Sequence, residues 1–394
     1  MKPRVSILED DLASEGIGSG VESEPEMPEY ANKTPFDPDS ISLTTKVVSL
    51  DTVLRRLKNT TIVLSPEFQR EEVWDKKRKS LLIESMILKI PLPMFYVSED
   101  NDGVWEVVDG LQRLSTIRDF ILGEDGDGKG FKLQDLEFWG ESLNSKTFYK
   151  LLFDSKAARV VNNIMETELL FTVINPGTPD NVKRNIFKRI NTGGMRLSDQ
   201  EIRNALYQGI ATKFLRVLSN NEYYTEVTGG TIKDNRMAGR ELILRYLAFS
   251  LLGRDKFTGD IDDFLSNTML HLNNEAEFSD LDCASLSSIK YRFELGLYRS
   301  YLLFSSHAFR KSVAGARKKT SINKSLFEVW LIILSELDET EFKCLESQSE
   351  FFLAKYSDLF HDVDFSNSIS RRGGSPWGAN FRYSVLKKLV MEFI

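Results

Sequence analysis

Cysteine is scarce in this chain. Only Cys283 and Cys344 occur among 394 residues, too few for a disulfide framework. A buried, reduced pair in a cytosolic setting is expected. Histidine is nearly as rare. His271, His307 and His361 stand singly, without His-x-x-x-His or similar spacing, which excludes cysteine–histidine metal chemistry. Long apolar runs are missing too: each hydrophobic stretch is short and broken by charge, so no membrane span is expected. The start, Met1-Lys2-Pro3-Arg4, leads into acidic sequence rather than the apolar region of a secretory signal. No repeat of fixed period stands out. What is present, 41% hydrophobic and 28% charged residues, fits a soluble protein long enough for two domains.

The net charge of −7 belongs to one segment. Residues 1–40 carry ten acids against Lys2, Arg4 and Lys33, and the remainder balances at 48 basic and 48 acidic groups. With Glu, Ser, Gly and Pro in place of large apolar residues, residues 1–40 read as a disordered, acidic tail. Residues 41–210 mix strand and helix signals. Beyond Gly209 long helical periods dominate, so residues 211–394 read as an all-helical domain. The expected class is α+β.

The most informative stretch runs from Val104 to Ile121. A β-branched run ends at Asp109-Gly110, and Leu114, Ile117, Phe120 and Ile121 then recur at helical spacing. Asp109, Gln112 and Arg113 therefore crowd a strand–turn–helix junction. Free amides at a helix start, a glycine and an arginine fork suit a phosphate or another anion. The plainer reading makes Asp109 a turn cap and places Arg113 in a buried ion pair.

Other signals flank this junction. Gln69-Arg70 precedes Val73-Trp74, and Asp75 is a suitable N-cap for a helix with Leu81, Leu82, Met86 and Leu88 on its inner face. Lys76 to Lys79 occupy its first turn, as a solvated face or an attraction for anions. Pro91 and Pro93 end that helix and admit a strand from Leu92 to Val97. The loop Gly123–Gly130 is acidic and Gly-rich but lacks the closing Glu of a calcium loop. Glu168–Ile174 reads as a buried strand, Thr178-Pro179 as a helix start, and Ser198-x-x-Glu201 as a capping box. Residues 310–324 hold six basic groups and no acid. Arg310, Lys311, Arg317, Lys318 and Lys319 are thus candidates for phosphate-backbone contact, or simply a solvated loop.

Three blocks lie in order: Pro66-x-Phe68-Gln69-Arg70-x-x-Val73-Trp74, Val108-Asp109-Gly110-Leu111-Gln112-Arg113-Leu114, and Phe187-x-Arg189-x-Asn191-x-Gly193-Gly194 with Leu197-Ser198-x-x-Glu201-Ile202-Arg203. Together they resemble the N-terminal domain of GmrSD-type restriction systems over residues 45–210. The resemblance implies a ParB/sulfiredoxin-like fold and nucleoside-triphosphate binding or hydrolysis, with the family's Asp-Gly-Gln-Gln-Arg motif at the phosphates. Asp109, Gly110, Gln112 and Arg113 match that motif, while Leu111 stands where a Gln is usual. Gln69, Arg70, Thr116, Arg189 and Asn191 are the further expected phosphate contacts.

On this reading Asp109 holds Mg²⁺, Gln112 orients water and Arg113 binds phosphate, these three being the catalytic candidates. The family's cutting is done by a His-Asn-His domain, for which the isolated histidines offer no motif, so a partner nuclease subunit is expected. The function implied is a cytoplasmic regulatory or sensing subunit of an anti-phage defence system. Its expected ligands are Mg²⁺ and a nucleoside triphosphate of unspecified base, with DNA and a second copy of the chain as further partners. Two alternatives stay open: a DNA-binding module using the cleft and the basic loop, and a protein-interaction scaffold with a degenerate pocket.

Overall fold

The computed structural model describes residues 19–22, 41–64, 74–124, 126–190, 198–232, 236–274, 277–278, 280–281, 283–313 and 319–394. The chain forms two compact units, one of Pro35–Leu197 and one that joins Ser198–Ile394 to the N-terminal segment Met1–Thr34. The class is α+β, with the sheet confined to the first unit among the described strands.

That sheet contains β1 (Leu43–Ser49), β2 (Ile62–Val63), β3 (Phe95–Glu99), β4 (Trp105–Asp109) and β5 (Glu168–Ile174), ordered β1-β5-β3-β4-β2. β1 runs antiparallel to β5, with Leu43 opposite Ile174. β3 lies parallel to β5 and antiparallel to β4, and β2 pairs parallel with β4. The third strand starts at Phe95 rather than at Leu92, because Pro91 and Pro93 offer no N–H to a ladder. Across the sheet the Phe95 and Phe171 rings stack 5.2 Å apart, and the Trp105 ring lies tilted against Phe171 at 5.3 Å.

Around the sheet run α1 (Leu50–Lys58), α2 (Lys76–Ile87), α3 (Leu111–Ile121), α4 (Gly140–Leu143), α5 (Phe148–Leu152), α6 (Ala158–Met165) and α7 (Asp180–Ile190). Asp75 caps α2 as its sequence position predicts, accepting from the Arg78 N–H at 2.7 Å. The basic first turn divides. Lys76, Lys77 and Arg78 face solvent, whereas Lys79 turns inward and pairs with buried Asp119 at 3.1 Å. One turn on, buried Glu84 accepts the backbone N–H groups of Glu137, Phe138 and Trp139 at 3.0, 2.8 and 2.9 Å. A carboxylate thus fixes a loop that has no ladder of its own.

The second unit begins with α8 (Asp199–Leu206), where Ser198 and Glu201 form the expected capping box. It continues through α9 (Ile210–Ser219), α10 (Glu222–Thr228), α11 (Ala238–Leu251), α12 (Ile261–Leu272), α13 (Ala284–Phe304), α14 (Lys324–Glu336), α15 (Glu339–Ser347), α16 (Ser349–Leu359), α17 (Val363–Ser368) and α18 (Pro376–Met391). Buried α14 carries Trp330, whose indole N–H donates to the Tyr356 hydroxyl at 3.1 Å. Charges also lie inside. Arg203 meets Asp262 at 2.5 Å and Glu241 at 3.3 Å, Lys324 reaches Glu241 at 2.8 Å, and Glu328 takes both Arg245 and Arg382.

The expected buried cysteine pair is corrected: Cys283 is half-buried and Cys344 exposed, both free thiols. Cys344 lies on α15, whose buried residues are Phe342 and Leu345.

Two stability predictions arise here. Glu84→Ala takes the acceptor from three loop N–H groups and leaves a cavity at a buried position, and should cost about 1–3 kcal/mol in urea unfolding, with Glu84→Gln in between. Equal stability of all three proteins would show that the loop does not need the carboxylate. Burial raises the Glu241 carboxyl pKa, but Lys324, Arg203 and Arg245 outweigh it and leave it at about 2. A depressed folded pKa contributes stability above about pH 4.5 that is lost as the pH falls toward 2, on the order of 3 kcal/mol. Glu241→Gln should flatten that acid limb, read as melting temperature between pH 5 and pH 2.5.

Candidate functional site

The junction between β4 and α3 is built by its shortest residue. Gly110 has φ +95°, and a Cβ there would stand 2.4 Å from Phe95 Cδ1. Only glycine makes this corner. It brings Asp109, at the last position of β4, directly before the first turn of α3. Among the described residues no side chain caps that turn, which leaves its leading amides to an acceptor from outside the helix.

Arg113 holds the corner together. Its Nη2 donates to Asp109 Oδ2 at 2.8 Å and to the Met94 carbonyl at 3.2 Å, and its Nη1 donates to the Pro93 carbonyl. The guanidinium lies over the Phe95 ring, 4.5 Å from its centre. Burial lowers the Arg113 pKa, against the charge and hydrogen bond of Asp109 that raise it. The plainer sequence reading of an ion pair is therefore realised. The exposures differ: the Arg113 side chain is 12% accessible and that of Asp109 44%. Asp109 is the member of the pair that meets solvent.

The remaining expected contacts separate. Gln112 Oε1 accepts from the Trp74 N–H at 3.5 Å, which links α3 to the start of α2. Thr116 is fully buried, and its hydroxyl donates to the Gln112 carbonyl at 2.7 Å; it braces the helix and is not placed to meet a phosphate. Leu111, the departure from the resembled motif, packs partly buried against the core. Arg189 is exposed in the last turn of α7. Gln69, Arg70 and Asn191 lie outside the described residues. Missed by the sequence reading were the Pro93 and Met94 carbonyls and the Phe95 ring.

Asp109 is the single carboxylate at this corner with an oxygen, Oδ1, that accepts no hydrogen bond among the described residues. No group of three or more His, Cys, Asp or Glu among those residues is arranged to hold a metal. A single carboxylate, with further oxygens from phosphate and water, is compatible with Mg²⁺.

The basic run has other duties. Arg310 is buried and donates to the Thr228 carbonyl and Thr231 hydroxyl, each at 3.0 Å, and to the Thr320 carbonyl, so it is corrected from a DNA contact to an internal brace. Lys311 pairs with Glu22 and donates to Ser370 at 2.9 Å. Lys319 is exposed, and Arg317 and Lys318 lie outside the described residues.

Residues 51–208 match the family described as the GmrSD restriction endonuclease N-terminal domain. That stretch is a GmrSD-type N-terminal domain, the module of a restriction-type defence component. The match runs beyond Leu197 and includes α8. No curated protein and no solved structure matches the chain. No helix among the described residues is long and apolar enough to cross a membrane.

Gly110→Ala should destabilise the first unit by about 1–3 kcal/mol, because a side chain at positive φ must also displace Phe95 from beneath Arg113. Urea titration checks this. An unchanged midpoint would show that the corner can relax around a methyl group.

Proposed function

We propose, taking residues 51–208 as a GmrSD-type N-terminal domain, that this corner binds a nucleoside triphosphate with Mg²⁺. The chain then acts as a regulatory or sensing subunit of a defence system against foreign DNA. The observation that carries this reading is the pairing of an uncapped first turn of α3 with the half-exposed carboxylate of Asp109. Amides at a helix start receive phosphate oxygens through hydrogen bonds and the helix dipole.

Each residue has a physical part. The Leu111 and Gln112 amides donate to the phosphate oxygens, and Gly110 lets the phosphate approach the backbone. Asp109 would hold Mg²⁺ through Oδ1, and the ion when bound would neutralise phosphate charge. Arg113 positions Asp109 by fixing Oδ2, and its buried charge favours an anion nearby. Gln112 presents its side-chain amide to the attacking water if hydrolysis follows binding. Arg70, Gln69, Arg189 and Asn191 complete the phosphate shell on this reading. The cutting step belongs to a partner nuclease subunit. This reading is preferred to a DNA-contacting basic loop because Arg310 and Lys311 already have protein partners.

Thermal denaturation with ATP, GTP, CTP and UTP at millimolar concentration tests it. One nucleotide should raise the melting temperature in a Mg²⁺-dependent way, since a ligand at a hundred times its Kd adds about 2.7 kcal/mol. Asp109→Asn should remove the Mg²⁺ dependence. Released phosphate separates binding from hydrolysis. If none of the four nucleotides shifts the wild-type transition, the corner is not a nucleotide site.

A further inference from the structure

Part of the acidic tail is docked. Val21 forms a parallel bridge with Ile322, and Ile322 forms an antiparallel bridge with Arg310 on its other side. The Ile322 N–H donates to the Gly20 carbonyl at 3.1 Å, and the Glu22 N–H donates to the Ile322 carbonyl at 2.8 Å. Three consecutive residues are each selected. At Gly20, φ is +79° and a Cβ would stand 2.1 Å from the Thr231 carbonyl oxygen. Val21 is 8% exposed. The Glu22 carboxylate pairs with Lys311 and accepts from Asn323 Nδ2 at 2.8 Å.

The socket for that carboxylate is built into the helical unit. Asn323 is 4% exposed; its Oδ1 caps α14 through the Leu326 N–H at 2.9 Å, and its Nδ2 also reaches the Ile369 carbonyl at 2.8 Å. Lys311 is steadied by Ser370. Both polar partners of Glu22 are thus held by other elements whether or not the tail is present.

We propose that this groove is a docking site for an extended glycine–β-branched–acidic segment, and that residues 20–22 are its tethered occupant, exchangeable with a like segment of a partner protein. Among the described residues, two backbone hydrogen bonds, one small side chain, one ion pair and the Asn323–Glu22 hydrogen bond hold this segment, a footprint far below that of a stable interface. Such a segment stays bound because its tether keeps the local concentration on the order of millimolar. Charge agrees in sign: ten acids precede residue 41, and residues 310–324 are basic without an acid. Release would uncover the Ile322 amide and carbonyl together with Lys311 and Asn323, an edge and a cationic socket ready for a second strand.

The test uses the full chain and a fluorescent peptide of residues 17–24. Gly20→Ala with Glu22→Arg should detach the tail and leave the groove intact. Anisotropy should then show the peptide binding about tenfold more tightly to this variant than to wild type, where the tethered segment competes. Adding Lys311→Glu should abolish that binding. Hydrogen exchange at the Ile322 amide should quicken in the variant. Equal or absent peptide binding, or unchanged Ile322 protection, would overturn the proposal. A wild-type dimer that the double variant dissolves would overturn the tethered assignment and make a second copy the occupant.

Discussion

Arg113 sits where three pieces of backbone must stop or turn. The approach to β3 carries two prolines, and its Pro93 and Met94 carbonyls accept from Arg113. β4 ends in a carboxylate, and α3 begins without a side-chain cap. A planar guanidinium can answer several acceptors at once, and its face can lie on an aromatic ring. Arg113 does both, above Phe95. Lysine has the charge but not the fork, so it could not connect all three. Gly110 must lack a side chain for the same reason, since the space a methyl would take is filled by Phe95.

The same solution recurs through both units. Lys79–Asp119, Glu84 with its loop, Arg203 with Asp262 and Glu241, and Glu328 between two arginines all place charge where apolar packing would be expected. Burying a charge is costly and well-packed apolar residues are often as stable, so such groups are weak evidence for stability itself. Their geometric effect is clearer. Glu84 fixes a loop, Arg310 ties three backbone or hydroxyl acceptors around Thr228–Thr231 and Thr320, and Arg299 holds the end of α14 through the Leu334 and Leu337 carbonyls. Each joins irregular backbone that cannot satisfy itself.

What was legible in the sequence was local. The Asp75 cap, the Ser198–Glu201 box and the strand–turn–helix around Asp109 depend on residues a few positions apart, and all three appear. What was not legible depends on backbone atoms that carry no residue signature. Nothing about Pro93 or Met94 announces that its carbonyl will meet Arg113, twenty positions on. Composition misled in two places for a shared reason. A run of basic residues and a stretch of acidic ones both read as solvated, yet Arg310 is buried and Glu22 is paired with Lys311. Average polarity describes a segment, whereas burial is decided residue by residue. Cys344 shows the converse, an apolar residue type on the exposed side of α15.

Leu111 joins the structural and chemical sides of the corner. As the first residue of α3 it offers its backbone N–H to an anion whatever its side chain is, because the first-turn amides have no partner within the helix. Its side chain packs against the core instead of presenting an amide. Replacing a glutamine there removes a side-chain donor and leaves every backbone donor in place. On the proposed nucleotide reading, recognition of a phosphate through the helix start would survive the substitution, and attack would rest more heavily on Gln112. That residue is itself tied to the Trp74 N–H, so the glutamine assigned to catalysis in the proposal also connects α3 to the start of α2.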